Sequence, residues 1–131
     1  MTAQQAELTV PASADDVRRV LLDPLGLPDW NEAFLSLSGP AEPVVGQSYR
    51  IRVRPGLTGN LVYDAIEPDR IEISWQVPGF HENGGWTLTP RGWSTVVRHT
   101  FTHAGPLAAA LRHAYRGVAA LRLARLAARL G

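Results

Sequence analysis

Apolar and polar positions alternate in steps of two through the middle of this 131-residue chain, and recur in steps of three and four near both ends. Residues 5–10 alternate as a first strand, which Pro11 ends. Ser13 then reads as a helix N-cap, with Asp15 and Asp16 in the first turn. Val17, Val20 and Leu21 recur at i, i+3 and i+4 while Arg18 and Arg19 face away, so a short helix is expected up to Asp23-Pro24. A second short helix is expected over 28–34. From 35 to 103 the punctuation is that of an antiparallel sheet. Tyr49, Ile51 and Val53 oppose Arg50, Arg52 and Arg54. Leu61, Tyr63 and Ala65 share a face, as do Ile71, Ile73, Trp75 and Val77. A loop is expected over 78–85, then a strand with Trp86 and Leu88, a turn at 90–92 and a last strand over 94–103. On that strand Val97, His99, Phe101 and His103 share one face.

Gly105-Pro106 opens a final helix expected over 107–130. Ala110, Ala114, Gly117, Leu121, Ala124 and Ala128 form a stripe of mostly small residues along it, expected to face the sheet. A second line runs Leu107, Leu111, Tyr115, Val118 and then becomes Arg122, Arg125, Arg129. A third runs Arg112, Arg116, Ala119 and then becomes Leu123, Leu126, Leu130. The two flanks exchange character after Gly117, where a bend is expected. The order predicts an α+β fold of about seven strands, two short helices and one long helix, in a single domain over 1–131.

Composition narrows the chemistry. The chain has no Cys, which excludes disulfides, thiolate catalysis and Cys-based metal sites. All 13 basic side chains are Arg, so lysine Schiff-base chemistry is excluded as well. The net charge is +1, yet residues 1–82 hold all twelve acids and six Arg, while 83–131 hold seven Arg and no acid. A fold that brings the two parts together would neutralise them against each other. The surplus at Arg122, Arg125 and Arg129 is the part expected to remain over and to point to orientation or a partner more than to stability. The first seven residues have neither a basic region nor an apolar stretch, and no apolar run approaches membrane-spanning length. A cytoplasmic protein without membrane insertion is therefore expected.

Four segments carry a family likeness: VPASADDVRRVLLDP (10–24), LPDWNEAF (27–34), VVGQSYRIRV (44–53) and AIEPDRIEISW (65–75). Trp30 and Asn31, then Val45, Gly46 and Tyr49, then Glu67, Pro68 and Arg70 are their marker residues. Together with the element order, they make the chain resemble the START/SRPBCC helix-grip superfamily, in its polyketide cyclase/dehydrase and lipid-transport branch. The resemblance implies a curved sheet wrapped around the C-terminal helix, with a cavity between them.

In such a cavity the expected ligand-binding residues are Tyr49, Tyr63, Ile73, Trp75, Trp86, His99 and Phe101 from the sheet, and Ala110, Ala114 and Gly117 from the helix. Aromatic walls with polar tips suit a small hydrophobic or aromatic, lipid- or polyketide-like molecule. One alternative is an aromatic cyclase or dehydratase with His99 and Tyr63 as acid/base groups. Another is an interaction protein whose cavity has collapsed. The sequence does not decide whether the chain is an enzyme. Trp30 reads as a cavity lid or as an anchor, and the 80–85 segment as a gate or a plain connection. His99 and His103 lie roughly 13 Å apart along a strand, too far to share a metal. No metal or cofactor is expected, and His103 is expected near solvent. The two Arg clusters sit on different helix lines beside one aromatic, which argues against nucleic acid. Leu123, Leu126 and Leu130 are the expected face of a homodimer.

Overall fold

Seven strands form one antiparallel sheet in the order β1-β7-β6-β5-β4-β3-β2. The structure is a computed structural model and describes residues 2–130. The strands are β1 (Thr2–Val10), β2 (Phe34–Ser38), β3 (Ser48–Val53), β4 (Leu57–Ile66), β5 (Arg70–Val77), β6 (Phe80–Arg91) and β7 (Ser94–Ala104). β2 to β7 form a meander, and β1 returns to pair with β7, with Val10 opposite Thr95. Helix α1 (Ala14–Leu21) and a 3-10 turn (Pro24–Asp29) join β1 to β2. Helices α2 (Pro106–Leu111) and α3 (Val118–Leu130) follow β7. This is the α+β helix-grip arrangement that the element order implied.

The two-residue alternation sorts each strand as expected. Tyr49, Ile51 and Val53 are buried on β3, and Ile71, Ile73, Trp75 and Val77 on β5. The N-cap of α1 forms as read, with Ser13 Oγ accepting from the Asp16 N–H at 3.1 Å. The other end of α1 is closed by a distant residue, since the Tyr63 hydroxyl donates to the Leu21 carbonyl at 2.7 Å. That carbonyl belongs to the last turn, which has no partner within the helix.

Several expectations are corrected. The helix expected over 28–34 is the 3-10 turn Pro24–Asp29, because the Asp23 carboxylate accepts from Gly26 N–H and starts the turn earlier. Asn31 Oδ1 then accepts from Ala33 N–H and directs the chain into β2. The loop expected over 78–85 is almost all strand. Pro78 and Gly79 alone make the turn, Gly79 at φ +84°, and β6 starts at Phe80. Asn83, Gly84 and Gly85 have loop-like composition, but β5 and β7 pair with them on both sides. The long C-terminal helix is broken rather than bent, with irregular turns between α2 and α3 and Gly117 at φ +75°. The Ala110–Ala128 stripe is exposed throughout instead of facing the sheet. The buried face of α3 is Ala119, Arg122, Leu123 and Leu126. Leu123 and Leu126 are 2% and 0% exposed within one chain, and Leu130 packs partly against the core. The leucines expected to form a dimer face are thus core residues.

Candidate functional site

The face of β5, β6 and β7 that looks toward α3 is largely aromatic, and its packing follows from strand register. Trp86 and His99 are direct cross-strand partners, and their rings stack with centroids 3.7 Å apart. Trp30 meets the Trp86 ring edge-on at 5.6 Å. Phe80, Phe101, His103 and Tyr115 form an adjoining cluster, with His103 4.3 Å from Tyr115.

A charged group is buried among these rings. Glu82 on β6 and Arg122 on α3 are each 4% exposed. Arg122 Nη1 donates to Glu82 Oε2 at 2.9 Å, and Nη2 donates to Oε1 at 3.0 Å, a two-pronged pair. His103, the cross-strand partner of Glu82, donates from Nε2 to Oε1 at 2.7 Å. The guanidinium also lies 4.7 Å from the centre of the Phe101 ring. Burial by itself would raise the Glu82 carboxyl, but the Arg122 charge and the hydrogen bonds from His103 and Arg122 outweigh it. They hold the group down at about 2. His103 is 1% exposed, so the expectation that it lies near solvent is corrected.

His99 is set by its neighbours. Nδ1–H donates to the Gly85 carbonyl at 2.9 Å, so in the neutral ring Nε2 carries the lone pair. Arg122 Nη1 donates to that lone pair at 3.3 Å. Burial, and then the positive charge of Arg122, push the imidazole down to about 4. Tyr63 lies elsewhere. Its strand β4 is three places from β7, roughly 14 Å along the sheet, and its hydroxyl is committed to Leu21. Burial raises this phenol far above its ordinary value. The two residues expected to act as an acid/base pair do not meet.

Between the sheet and the C-terminal segment lies a cavity of about 440 Å³. The sheet contributes Trp75, Val77 and Phe80 to its lining, and the C-terminal segment contributes Leu107, Leu111, Tyr115, Val118 and Leu121. Leu57 on β4 and Trp30 and Asn31 before β2 complete much of the wall, which is predominantly apolar. Leu57, Leu107, Leu111 and Leu121 are each more than a third exposed, so the mouth is apolar too. Arg125 pairs with Glu32 at the edge, and Arg54 Nε donates to the Glu32 carbonyl at 3.2 Å. A second space of about 20 Å³, enough for one water, lies behind the first. Trp30, Asn31, Trp75 and Arg122 border both spaces. A more polar depression of about 590 Å³ borders Thr87, Thr100 and Thr102, where Asp64 and Arg70 are exposed.

Of the ligand-binding residues expected from sequence, Trp75 and Ala114 border the main cavity. Ile73, Trp75, Trp86 and His99 border the small space. Tyr49, Tyr63, Phe101, Ala110 and Gly117 border neither. Tyr49 and Tyr63 are structural, since Tyr49 donates to the Pro40 carbonyl as Tyr63 does to Leu21. Trp30 is packed into the wall at 4% exposure, as an anchor would be. Glu82 and Arg122 were missed. The signal was present, because Arg122 continues the Leu107–Val118 line and Glu82 lies two residues from Phe80. Among the described residues no group of three or more His, Asp or Glu is placed to hold a metal, and no helix is long and apolar enough to cross a membrane.

The profile of one protein family, polyketide cyclase/dehydrase and lipid transport, matches residues 1–131. The chain belongs to that family. Among solved structures, this polyketide cyclase/dehydrase and lipid-transport family chain is similar to DynU16, a protein of the dynemicin biosynthetic locus. The two are 25% identical with a TM-score of 0.69 over 98% of this chain, which spans 46% of the DynU16 chain. It is also similar to norcoclaurine synthase from Thalictrum flavum, at 18% identity and a TM-score of 0.71 over 98% of this chain and 85% of that one. The hypothetical protein jhp0584 from Helicobacter pylori shares the fold at 10% identity, with a TM-score of 0.79 over 99% and 88% of the two chains. Among curated proteins no match is found.

Proposed function

We propose that this chain binds one small, largely apolar, ring-bearing molecule of polyketide or lipid type in the cavity between the sheet and the C-terminal segment. The observation that carries the reading is the 440 Å³ cavity with its apolar walls and apolar mouth. Its volume falls within the roughly 300–1,000 Å³ of small-molecule sites. Leucines left partly exposed around a mouth gain from covering by an apolar ligand. Family membership and the likeness to a protein of a biosynthetic locus support a ligand of that kind. Against an acid/base enzyme using His99 and Tyr63 stand the occupied lone pair of the one and the remote position of the other.

The test is thermal unfolding and native mass spectrometry with a panel of naphthols, anthraquinones and sterols. A ligand at a hundredfold its Kd should raise Tm by on the order of 10 °C and appear as a one-to-one adduct. Ala114→Trp places an indole in the cavity from an exposed position and should abolish both signals. No binding by any panel member, or equal binding to the Ala114→Trp variant, would sink the proposal.

A further inference from the structure

The boundary between the large cavity and the small space behind it holds hydrogen-bond donors that nothing in the described protein accepts. Trp75 is 4% exposed, and its Nε1–H is buried without a partner. An indole nitrogen can only donate. Arg122 has five N–H groups. Two on Nη1 go to Glu82 and His99, and one on Nη2 goes to Glu82. The Nε–H and the second Nη2–H have no acceptor among the described residues. Asn31 is 7% exposed and uses Oδ1 to accept from Ala33 N–H, which leaves its amide N–H groups over. These three residues border both spaces. Glu82, the cross-strand partner of Trp75, already has Arg122 on both oxygens and His103 on one.

A buried donor without an acceptor is uncommon; among the described residues Trp75 Nε1–H is the one buried side-chain N or O in that state, and it favours a ligand that supplies the acceptor. The charge count says which acceptor. At this boundary Arg122 is neutralised by Glu82, and the other charged lining residues, Arg54, Arg125 and Glu32, lie at the cavity edge, so a carboxylate placed here would be a third, unbalanced charge. A neutral carbonyl oxygen accepts two hydrogen bonds and adds no net charge.

We propose that this boundary is a carbonyl subsite, and that the ligand is a planar aromatic ketone or quinone whose oxygen accepts from Trp75 Nε1–H beside Asn31 and Arg122. The proposal rests on the cavity reading above and names the chemical class that fits it. It makes Trp75 the specificity-determining residue, with its indole plane forming wall and its N–H selecting oxygen.

A matched pair separates this proposal from its premise. 9-Fluorenone and fluorene share one ring skeleton and differ in the carbonyl. Titration of the purified protein, followed by calorimetry, should give at least about tenfold tighter binding of fluorenone. The carbonyl stretch of bound fluorenone should move to lower wavenumber than in hydrocarbon solvent. Trp75→Phe, which keeps an aromatic wall and removes the donor, should bring the affinity ratio towards one. Equal affinities in the wild-type protein, or an unshifted carbonyl stretch, overturn the subsite and leave the cavity reading standing. Binding of neither compound overturns the subsite, and overturns the cavity reading as well when no member of the panel above binds. The wild-type ratio and the infrared shift decide the matter without relying on how well the Trp75→Phe variant folds.

Discussion

Arg122 shows how one side chain can hold several others in place. It neutralises Glu82, donates to the lone pair of His99, lies against Phe101 and borders the cavity. Removing one member of a buried pair strands the other, at a cost of about 3–5 kcal/mol. Arg122→Met should therefore cost roughly that much in urea unfolding. Pairing it with Glu82→Gln should recover part of the loss, which a double-mutant cycle would read as coupling. A loss below about 1 kcal/mol would show that the pair is not desolvated. His99 makes a prediction of its own. Its imidazole ionises near 4 in the folded chain and near its ordinary 6.5 in the unfolded one. As pH falls from 6.5 to 4 the unfolded chain takes up a proton that the folded chain refuses, so stability declines across that window and no further below it. At about 1.4 kcal/mol per pH unit the decline is roughly 3 kcal/mol. His99→Asn should flatten this slope in stability measured against pH. Glu82 works in a lower window. Its folded value lies below its unfolded one, so its contribution is whole above about 4.5 and is lost towards 2.

The element that departs most from its sequence pattern is the C-terminal helix. An unbroken helix would join Ala119 N–H to the Tyr115 carbonyl. Here the side-chain amide of Gln4, on β1, takes both places, donating from Nε2 to the Tyr115 carbonyl and accepting at Oε1 from Ala119 N–H at 3.4 Å. Gly117, at φ +75°, turns the chain within this break. The break turns α3 so that Ala119, Leu123 and Leu126 face the core, while Leu107, Leu111 and Tyr115 border the cavity. Gln4→Ala leaves the Ala119 N–H without its partner, while the Tyr115 carbonyl keeps the Val118 N–H, and should cost about 1–3 kcal/mol in denaturant unfolding. Amide exchange should accelerate at 116–119 before it does in β6 and β7. Unchanged stability and exchange would mean that the break does not depend on the amide.

Across the whole molecule, the segregation of charge along the chain becomes pairing in space. Glu7 meets Arg98, Glu82 meets Arg122, Glu32 meets Arg125 and Asp29 meets Arg129. The surplus expected at Arg122, Arg125 and Arg129 is thus matched by acids from the first part of the chain. These pairs are unequal. The Arg129–Asp29 pair is largely exposed, so Arg129→Ala should change unfolding stability by at most about 1 kcal/mol, well below the effect at Arg122. Exposure, rather than the number of contacts, ranks them.

Most strands, their inward faces, α1 with its cap, and the family were legible from the residues alone. Alternation, punctuation and capping are local, and a backbone responds to them wherever it lies. The remainder depended on contacts between segments distant in the chain. Whether Gly84 and Gly85 are loop or strand depended on β5 and β7 pairing with them. Which face of 118–130 is inward follows from the break at 112–117, where a glutamine more than a hundred residues away bonds the Tyr115 carbonyl and the Ala119 N–H. Tyr49 and Tyr63 share the inward parity of Trp75, but parity reports only the face of the sheet and not the position along it, and they spend their hydroxyls on backbone carbonyls instead of lining the cavity. An arginine on a helix and a glutamate in an apparent loop each read as surface groups. They became a buried pair only when the fold removed water from both at once, leaving each as the other's counter-charge.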